Sequence, residues 1–239
     1  MLYNYMQKTL LVLQFFFATF ISGQKTEFGT VTDIEGNIYK TVTIGKYEWM
    51  AENLKTTKYN DGSEIPNVTS KSEWITLDSG AYCWYDNDSK NRETYGALYN
   101  WYAVNTGKLC PKGWRVPSDD EWKYLEKYVD SLYVTSVSEL QRTIAGKYLK
   151  SKTGWLLDGN GEDNFGFSAL PGGERPDKIM GFRLQGRNGF WWSSTESGEV
   201  EAWFRSIIYA LDDVSSNTHN KKFGFSVRCV KEKINNVNK

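Results

Sequence analysis

The side chains able to perform acid–base or covalent chemistry are few and scattered in this sequence. His219 is the only histidine, and it lies in the polar run Asn217-Thr218-His219-Asn220-Lys221, where we expect a solvated loop. A hydrolytic triad needs a nucleophile, a histidine and an acid in hydrogen-bonding contact, and no motif here places a nucleophile beside His219. The sequence therefore does not favour nucleophilic catalysis of the triad type.

Glycoside hydrolysis requires fewer catalytic groups than a triad, because two carboxyl groups about 5 to 10 Å apart across a cleft are sufficient. The acids that such a pair would use lie in the last quarter of the chain: Glu196, Glu199, Glu201, Asp212 and Asp213. Their polar surroundings are typical of solvated turns. An extracellular hydrolase of undefined chemistry is thus the enzymatic alternative, and the sequence favours a protein that is not an enzyme.

One loop carries hard oxygen ligands at alternate positions. In the run from residue 158 to 164 the candidate metal ligands are Asp158, Asn160, Glu162 and Asn164. Calcium prefers carboxylate and carbonyl oxygens in such an arrangement. The loop lacks a complete known calcium signature, so an ordinary polar turn is favoured and calcium binding is the alternative. Calcium is the one cofactor that the sequence suggests.

A binding surface is the alternative to catalysis, and the Gly-rich region from Gly154 to Trp192 is its predicted place. Aromatic faces supply apolar contact area, and Arg supplies directed hydrogen bonds. Adjacent strand residues point to opposite faces, so we expect at most one of Trp191 and Trp192 in the core of a two-sided sheet. The other is the better candidate for a ligand contact, although burial beneath the long loop is favoured over exposure. The candidate ligand-binding residues are Trp155, Arg183, Arg187, Trp191, Trp192 and Trp203.

Charge narrows the choice of partner. The formal net charge is +0, and no basic stretch is long enough to follow a phosphate backbone. Nucleic acid is therefore not the expected partner. We expect recognition of a glycan or of a cell-surface protein.

The N-terminus has the three-part layout of a secretory signal peptide. Lys8 precedes the apolar run from Leu10 to Ile21, and the small residues Ser22 and Gly23 follow. The run is shorter than the roughly 20 apolar residues that span a membrane. We expect a signal peptide over residues 1–23, no membrane span after its cleavage, and a secreted or cell-surface protein.

Export bears on the cysteines. Cys83, Cys110 and Cys229 would fold in an oxidising compartment, where one disulfide and one leftover thiol are expected. The alternative is that all three are reduced and buried as small apolar residues. The sequence alone does not choose the pair.

Local patterns predict the elements that position these groups. Ser118 and Glu121 form a capping box, and Trp122, Leu125, Val129 and Leu132 form an apolar stripe on the helix that follows. We expect further elements as follows: a turn at 33–37 leading to a strand at 38–44, helices at 95–104 and 137–149, and strands at 190–194, 202–209 and 223–230. Two central helices with strands on both sides predict one α+β domain over residues 24–239, with its core at about 30–231.

Seven ordered motifs carry a resemblance to a known family. They are Ile44-Gly45, Trp49-Met50-Ala51-Glu52-Asn53-Leu54, Tyr95-Gly96-Ala97-Leu98-Tyr99-Asn100-Trp101, Cys110-Pro111-Lys112-Gly113-Trp114-Arg115-Val116-Pro117, Phe167-Ser168-Ala169-Leu170-Pro171-Gly172-Gly173, Trp192-Ser193-Ser194 and Ser226-Val227-Arg228-Cys229-Val230. The chain resembles the Fibrobacter succinogenes major paralogous domain family over about residues 30–231. The resemblance implies a surface or secreted protein without an established activity.

Two motifs are also similar to a wider group. Residues 115–122 and 224–229 resemble the helix start and closing strand of the formylglycine-generating enzymes, whose fold is C-type-lectin-like. This similarity implies two central helices packed on a small twisted antiparallel sheet, with first and last strands that meet and long Gly-rich loops. Together with export, it implies a disulfide between Cys110 and Cys229. The metal-binding cysteine pair of that activity has no counterpart in the C-terminal third, so the similarity does not carry the activity over.

Overall fold

The computed structural model describes residues 27–133, 143–178 and 181–233. Within these ranges nine strands form three sheets, and a single helix is longer than five residues. The strands are β1 Phe28–Thr32, β2 Ile38–Ile44, β3 Tyr47–Met50, β4 Tyr82–Cys83, β5 Leu98–Tyr99, β6 Asn188–Glu196, β7 Glu201–Ile208, β8 Ser215–Asn220 and β9 Val230–Glu232. The helices are α1 Lys71–Trp74, α2 Arg92–Tyr95, α3 Trp101–Asn105, α4 Asp119–Tyr133 and α5 Ala145–Leu149.

The predicted α+β, C-type-lectin-like fold with two central helices is wrong, because the described chain is mostly β. The stretch predicted as a helix at 95–104 is interrupted at Gly96, whose φ of 72° ends α2 and leads into β5. Of the helix predicted at 137–149, the described part contains only the short α5. Residues 137–142 of that helix, and the predicted signal peptide at 1–23, lie outside the described residues.

The first sheet has the strand order β1-β2-β3-β9, with every neighbouring pair antiparallel. The predicted turn before β2 is confirmed, because Oδ1 of Asp33 accepts hydrogen bonds from the backbone N–H groups of Glu35 (3.0 Å) and Asn37 (2.9 Å). The chain returns to this sheet at its far end, where Val230 of β9 pairs with Trp49 of β3. The last strand thus meets the third strand, and the first strand forms the opposite edge.

The sheet β6-β7-β8 contains two predicted strands and one that the sequence did not predict. β8 escaped prediction because its residues are polar, and its backbone is ordered by pairing with β7. His219 lies in β8, half-buried, with its ring centroid 3.5 Å from that of Phe223, so the expected solvated loop is wrong. Of the strand predicted at 223–230, only Val230 belongs to a strand; Phe225 and Ser226 form isolated bridges to Tyr99 and Trp191.

Helix α4 begins with the capping box that the sequence predicts. The backbone N–H of Ser118 donates to Oε2 of Glu121 (2.8 Å), and the N–H of Glu121 donates to Oγ of Ser118 (3.2 Å). Trp122, Leu125 and Val129 are buried, as predicted, whereas Leu132 is 43% exposed. The fully buried Arg205 of β7 joins this helix to the sheet through ion pairs with Asp119 (2.7 Å) and Glu126 (2.5 Å).

The predicted disulfide between Cys110 and Cys229 is confirmed. It connects the loop before α4 to the extended segment before β9, across 119 residues of sequence. Cys83 is a free, fully buried thiol, and burial raises its pKa to about 11. No helix of the described residues has both the length and the apolar character needed to cross a membrane.

Replacing Ser118 with Ala should lower the free energy of unfolding by about 1 kcal/mol, because the N–H of Glu121 loses its side-chain acceptor. Urea unfolding of the purified variant measures the change. Ser131→Ala is the matched control, since Ser131 is an exposed serine within the same helix whose hydroxyl bonds to the carbonyl of Tyr128. Equal stabilities of the two variants would contradict the claim that the Ser118 side chain stabilises the start of α4.

Thiol titration should distinguish the three cysteines. The native protein should react with Ellman's reagent at none of them, because Cys83 is buried and the other two are bonded. Denaturation without reductant should release one reactive thiol. Two or three thiols in that sample would show that the disulfide is absent.

Candidate functional site

A groove with a volume of about 740 Å³ lies where five chain segments meet. One wall is formed by the end of the β1–β2 hairpin and by the residues after β3, which contribute Lys40, Glu52 and Lys55. The opposite wall comes from the loops that follow α5, at residues 151–153 and 163–170, and Glu93 and Thr94 of α2 close one side. Segments more than 100 residues apart in sequence therefore build one surface.

Asn53 lies beneath this groove with all its side-chain hydrogen-bonding groups engaged. Its Oδ1 accepts from Nε1 of Trp191 (2.9 Å) and from Nε of Arg228 (3.0 Å). Its Nδ2 donates to the carbonyl of Tyr95 (2.9 Å) and to Oγ of Ser226 (3.2 Å). One amide thereby connects the segment after β3 to three other parts of the chain, and it orients them relative to the groove.

The guanidinium of Arg228 is fully buried below the groove floor. It donates to Oδ1 of Asn53, to the carbonyl of Phe167 and to the carbonyl of Ser168 (2.7 Å), and it lies 4.3 Å from the ring centroid of Phe167. Burial lowers the pKa of Arg228 to about 9, and the negative charges of Asp163 and Glu52 oppose that shift. Arg228 thus holds the loop that forms the floor and places a positive charge behind it.

The loop from Asp163 to Ser168 contains two non-glycine residues whose backbone is in the left-handed region. Asp163 has a φ of 46° and Ser168 a φ of 53°, and such left-handed residues cost about 1 to 3 kcal/mol each. The carboxylate of Asp163 fixes both, because it accepts from the backbone N–H (2.7 Å) and the hydroxyl (2.6 Å) of Ser168. Backbone strain of this kind concentrates at binding sites, where it keeps a surface in one shape.

Phe28 adds an apolar side to the groove. Its ring is 67% exposed and lies against Gly166, where an added Cβ would come within 2.6 Å of the ring. Gly166 also has a φ of 68°, so a larger residue there would be strained as well as blocked. The groove consequently offers one exposed aromatic ring beside many polar groups.

Charged side chains of both signs line the groove. Lys55 pairs with Glu93 at 2.5 Å, and this ammonium holds the pKa of Glu93 below its usual value. Glu52 accepts a hydrogen bond from the backbone N–H of Lys40 at 2.6 Å. Lys40 and Lys152 are exposed, and neither ammonium has an ion-pair partner among the described residues.

The structure disperses the residues predicted to bind a ligand. Trp155, Trp191 and Trp192 are buried, and each indole N–H donates within the protein: to Ser151 and Ala169, to Asn53, and to Tyr99 respectively. They therefore offer a ligand no exposed face, and both members of the adjacent pair are buried, as the favoured alternative of burial beneath the loop predicts. Arg183 and Arg187 are exposed and Trp203 is half-buried, but none of the three lines the groove.

The predicted calcium ligands have partners within the protein. Oδ1 of Asn160 accepts from the backbone N–H of Trp155 (3.1 Å), Glu162 pairs with Lys147 (2.8 Å), and Asn164 donates to Tyr133 (3.0 Å). Asp158 is exposed at a φ of 59°. Within the described ranges no group of three or more His, Cys, Asp or Glu is arranged to hold a metal. Calcium binding by this loop stays a prediction.

Of the groove residues, the sequence candidates include only Asn164, which was predicted as a calcium ligand. No single segment contains enough of them to form a recognisable motif, since Lys40, Glu52, Lys152 and Asp163 meet only in the folded chain. The signal that was present lies in the quoted motifs: residues 49–54, 95–101, 167–173 and 226–230 all converge on Asn53 and Arg228.

Replacing Arg228 with Met should lower the free energy of unfolding by about 2 kcal/mol or more, because buried oxygens of Asn53, Phe167 and Ser168 lose their donor. Urea unfolding measures this loss. Arg187→Met is the matched control, since Arg187 is exposed, and its effect should stay within about 0.5 kcal/mol. A loss for Arg228→Met as small as that of the control would contradict the role of Arg228 in the floor.

Comparisons with known proteins identify the family of the chain and do not identify a ligand. The family model described as the Fibrobacter succinogenes major domain matches residues 42–231. No curated protein and no solved structure matches the chain. The similarity to formylglycine-generating enzymes is not confirmed.

Proposed function

The chain belongs to the Fibrobacter succinogenes major domain family, and we propose that it is an exported, non-catalytic protein that binds a glycan in the groove. The observation that carries this proposal is the composition of the groove. It combines an exposed aromatic ring with hydroxyl, amide, carboxylate and ammonium groups above a floor held by Asn53 and Arg228. The disulfide between Cys110 and Cys229 supports export, because such bonds persist in oxidising compartments.

Sugars have two kinds of surface, and the groove offers a partner for each. Ring C–H groups form apolar patches, against which the exposed ring of Phe28 can pack. Hydroxyl groups need donors and acceptors, and the groove presents Thr94 and Thr153 among others. A volume of about 740 Å³ accommodates a short oligosaccharide by comparison with the usual size of ligand sites.

The groove is better suited to binding than to glycoside hydrolysis. A general acid has to keep its proton near neutral pH, which requires a raised pKa. The pKa of Glu93 is instead lowered by Lys55. The other two groove carboxylates are engaged in holding backbone, Glu52 at Lys40 and Asp163 at Ser168. All three therefore support the surface on which a ligand would lie.

Replacing Phe28 with Ala should weaken binding of the preferred glycan by about three- to tenfold, since an aromatic contact contributes about 0.5 to 1.5 kcal/mol. A glycan array with purified protein identifies the ligand, and calorimetry gives the affinities. Stability should hardly change, because the ring is mostly exposed. Leu157→Ala is the matched control: Leu157 is 74% exposed and does not line the groove, so its loss should leave binding intact.

Two results would contradict the proposal. Failure to bind any glycan on the array would remove glycan recognition. Release of shortened sugars from a bound oligosaccharide, detected by mass spectrometry, would establish a hydrolase instead of a binding protein.

A further inference from the structure

The charged groups around the groove do not cancel once the buried charge behind the floor is included. The lining residues carry three ammonium groups, Lys40, Lys55 and Lys152, and three carboxylates, Glu52, Glu93 and Asp163. Arg228 adds a fourth cation below the floor, where it interacts electrostatically with Asp163 and Glu52. Four cationic groups thus surround the groove against three carboxylates.

The pairing within this set determines which charges face a ligand. Lys55 and Glu93 neutralise each other in direct contact, and Glu93 also pairs with Arg92 at 2.6 Å. Both oxygens of Asp163 accept from Ser168, and Glu52 accepts from the backbone N–H of Lys40, so these carboxylates face donors of the protein. Their charges are further balanced by Arg228. The negative charge of the groove is therefore largely compensated from inside.

The positive charge of Lys40 and Lys152 is not compensated in the same way. Both residues are exposed groove residues on opposite walls, and neither has an ion-pair partner within the described ranges. The acid that interacts electrostatically with Lys152, Glu162, is itself paired with Lys147 at 2.8 Å. Two ammonium groups, each with three donors, are thus available to an anionic ligand.

We propose that the groove selects acidic saccharides, whose ring carboxylates contact Lys40 and Lys152 while a sugar face packs on Phe28. This inference rests on the proposed glycan-binding function and specifies its substrate class. A saccharide fits better than an acidic peptide, because the aromatic ring and the hydroxyl-bearing walls suit sugar rings beside the carboxylates. Uronic acid oligomers carry both features on every residue.

Tetragalacturonate and its methyl ester are the matched probes, because esterification removes the charge of each carboxyl group and adds only a methyl group. The acid should bind purified protein more tightly than the ester, and raising the salt concentration from about 0.05 to about 0.5 M should remove most of the difference by screening. Lys40→Gln and Lys152→Gln should each weaken binding of the acid by about two- to fivefold and leave the affinity for the ester unchanged. Lys127→Gln, at an exposed lysine of α4 outside the groove, should change neither.

The outcomes separate this inference from the function on which it rests. Equal affinities for the acid and its ester, with both weakened by Phe28→Ala, would overturn the preference for acidic saccharides and leave glycan binding in place. Binding of neither saccharide, with none on the array, would overturn both. Polyglutamate bound as tightly as tetragalacturonate, and weakened by the same lysine variants, would show an acidic peptide site instead.

Discussion

A buried guanidinium needs hydrogen-bond acceptors from the protein, because water does not reach its N–H groups. The acceptors of Arg228 determine how the chain segments around the groove are arranged. No carboxylate of the described chain pairs with it directly; its acceptors are Oδ1 of Asn53 and the carbonyls of Met50, Phe167 and Ser168. Removing any of these acceptors would leave buried donors unpaired, which is costly in a medium of low dielectric constant. The position of Arg228 therefore fixes the segment after β3 and the loop at 163–168 relative to the core.

The disulfide and the aromatic core also hold Arg228 and Asn53 in place. Cys229 is the neighbour of Arg228, and its bond to Cys110 ties this segment to the loop before α4. Trp191 donates to the same amide oxygen of Asn53 and packs near Trp122 of α4, with ring centroids 6.5 Å apart. Trp191, a candidate ligand contact in the sequence, thus supports the groove floor from the core. Lysine side chains and Phe28 form the surface that a ligand would contact.

Local signals in the sequence were sufficient for α4, β2, β6 and β7, because caps, turns and alternation are encoded within about ten residues. The pairing of Cys110 with Cys229 followed from resemblance and export. The polar strand β8 was not predictable, since its order comes from hydrogen bonds to β7. The same limit applied to the groove, whose walls lie about 100 residues apart in sequence. Trp191 and Trp192 are both buried because their strand is covered on both faces.

Hydrogen–deuterium exchange of the purified protein, with and without saturating tetragalacturonate, tests most directly whether the groove above Asn53 and Arg228 is the binding site. The account predicts slower exchange on binding at residues 51–55, 151–153 and 163–170, which form its walls and floor. Exchange in β8 should stay unchanged, because that strand borders a different groove at His219. Protection confined to β8 and its surroundings, with none at 163–170, would contradict the account.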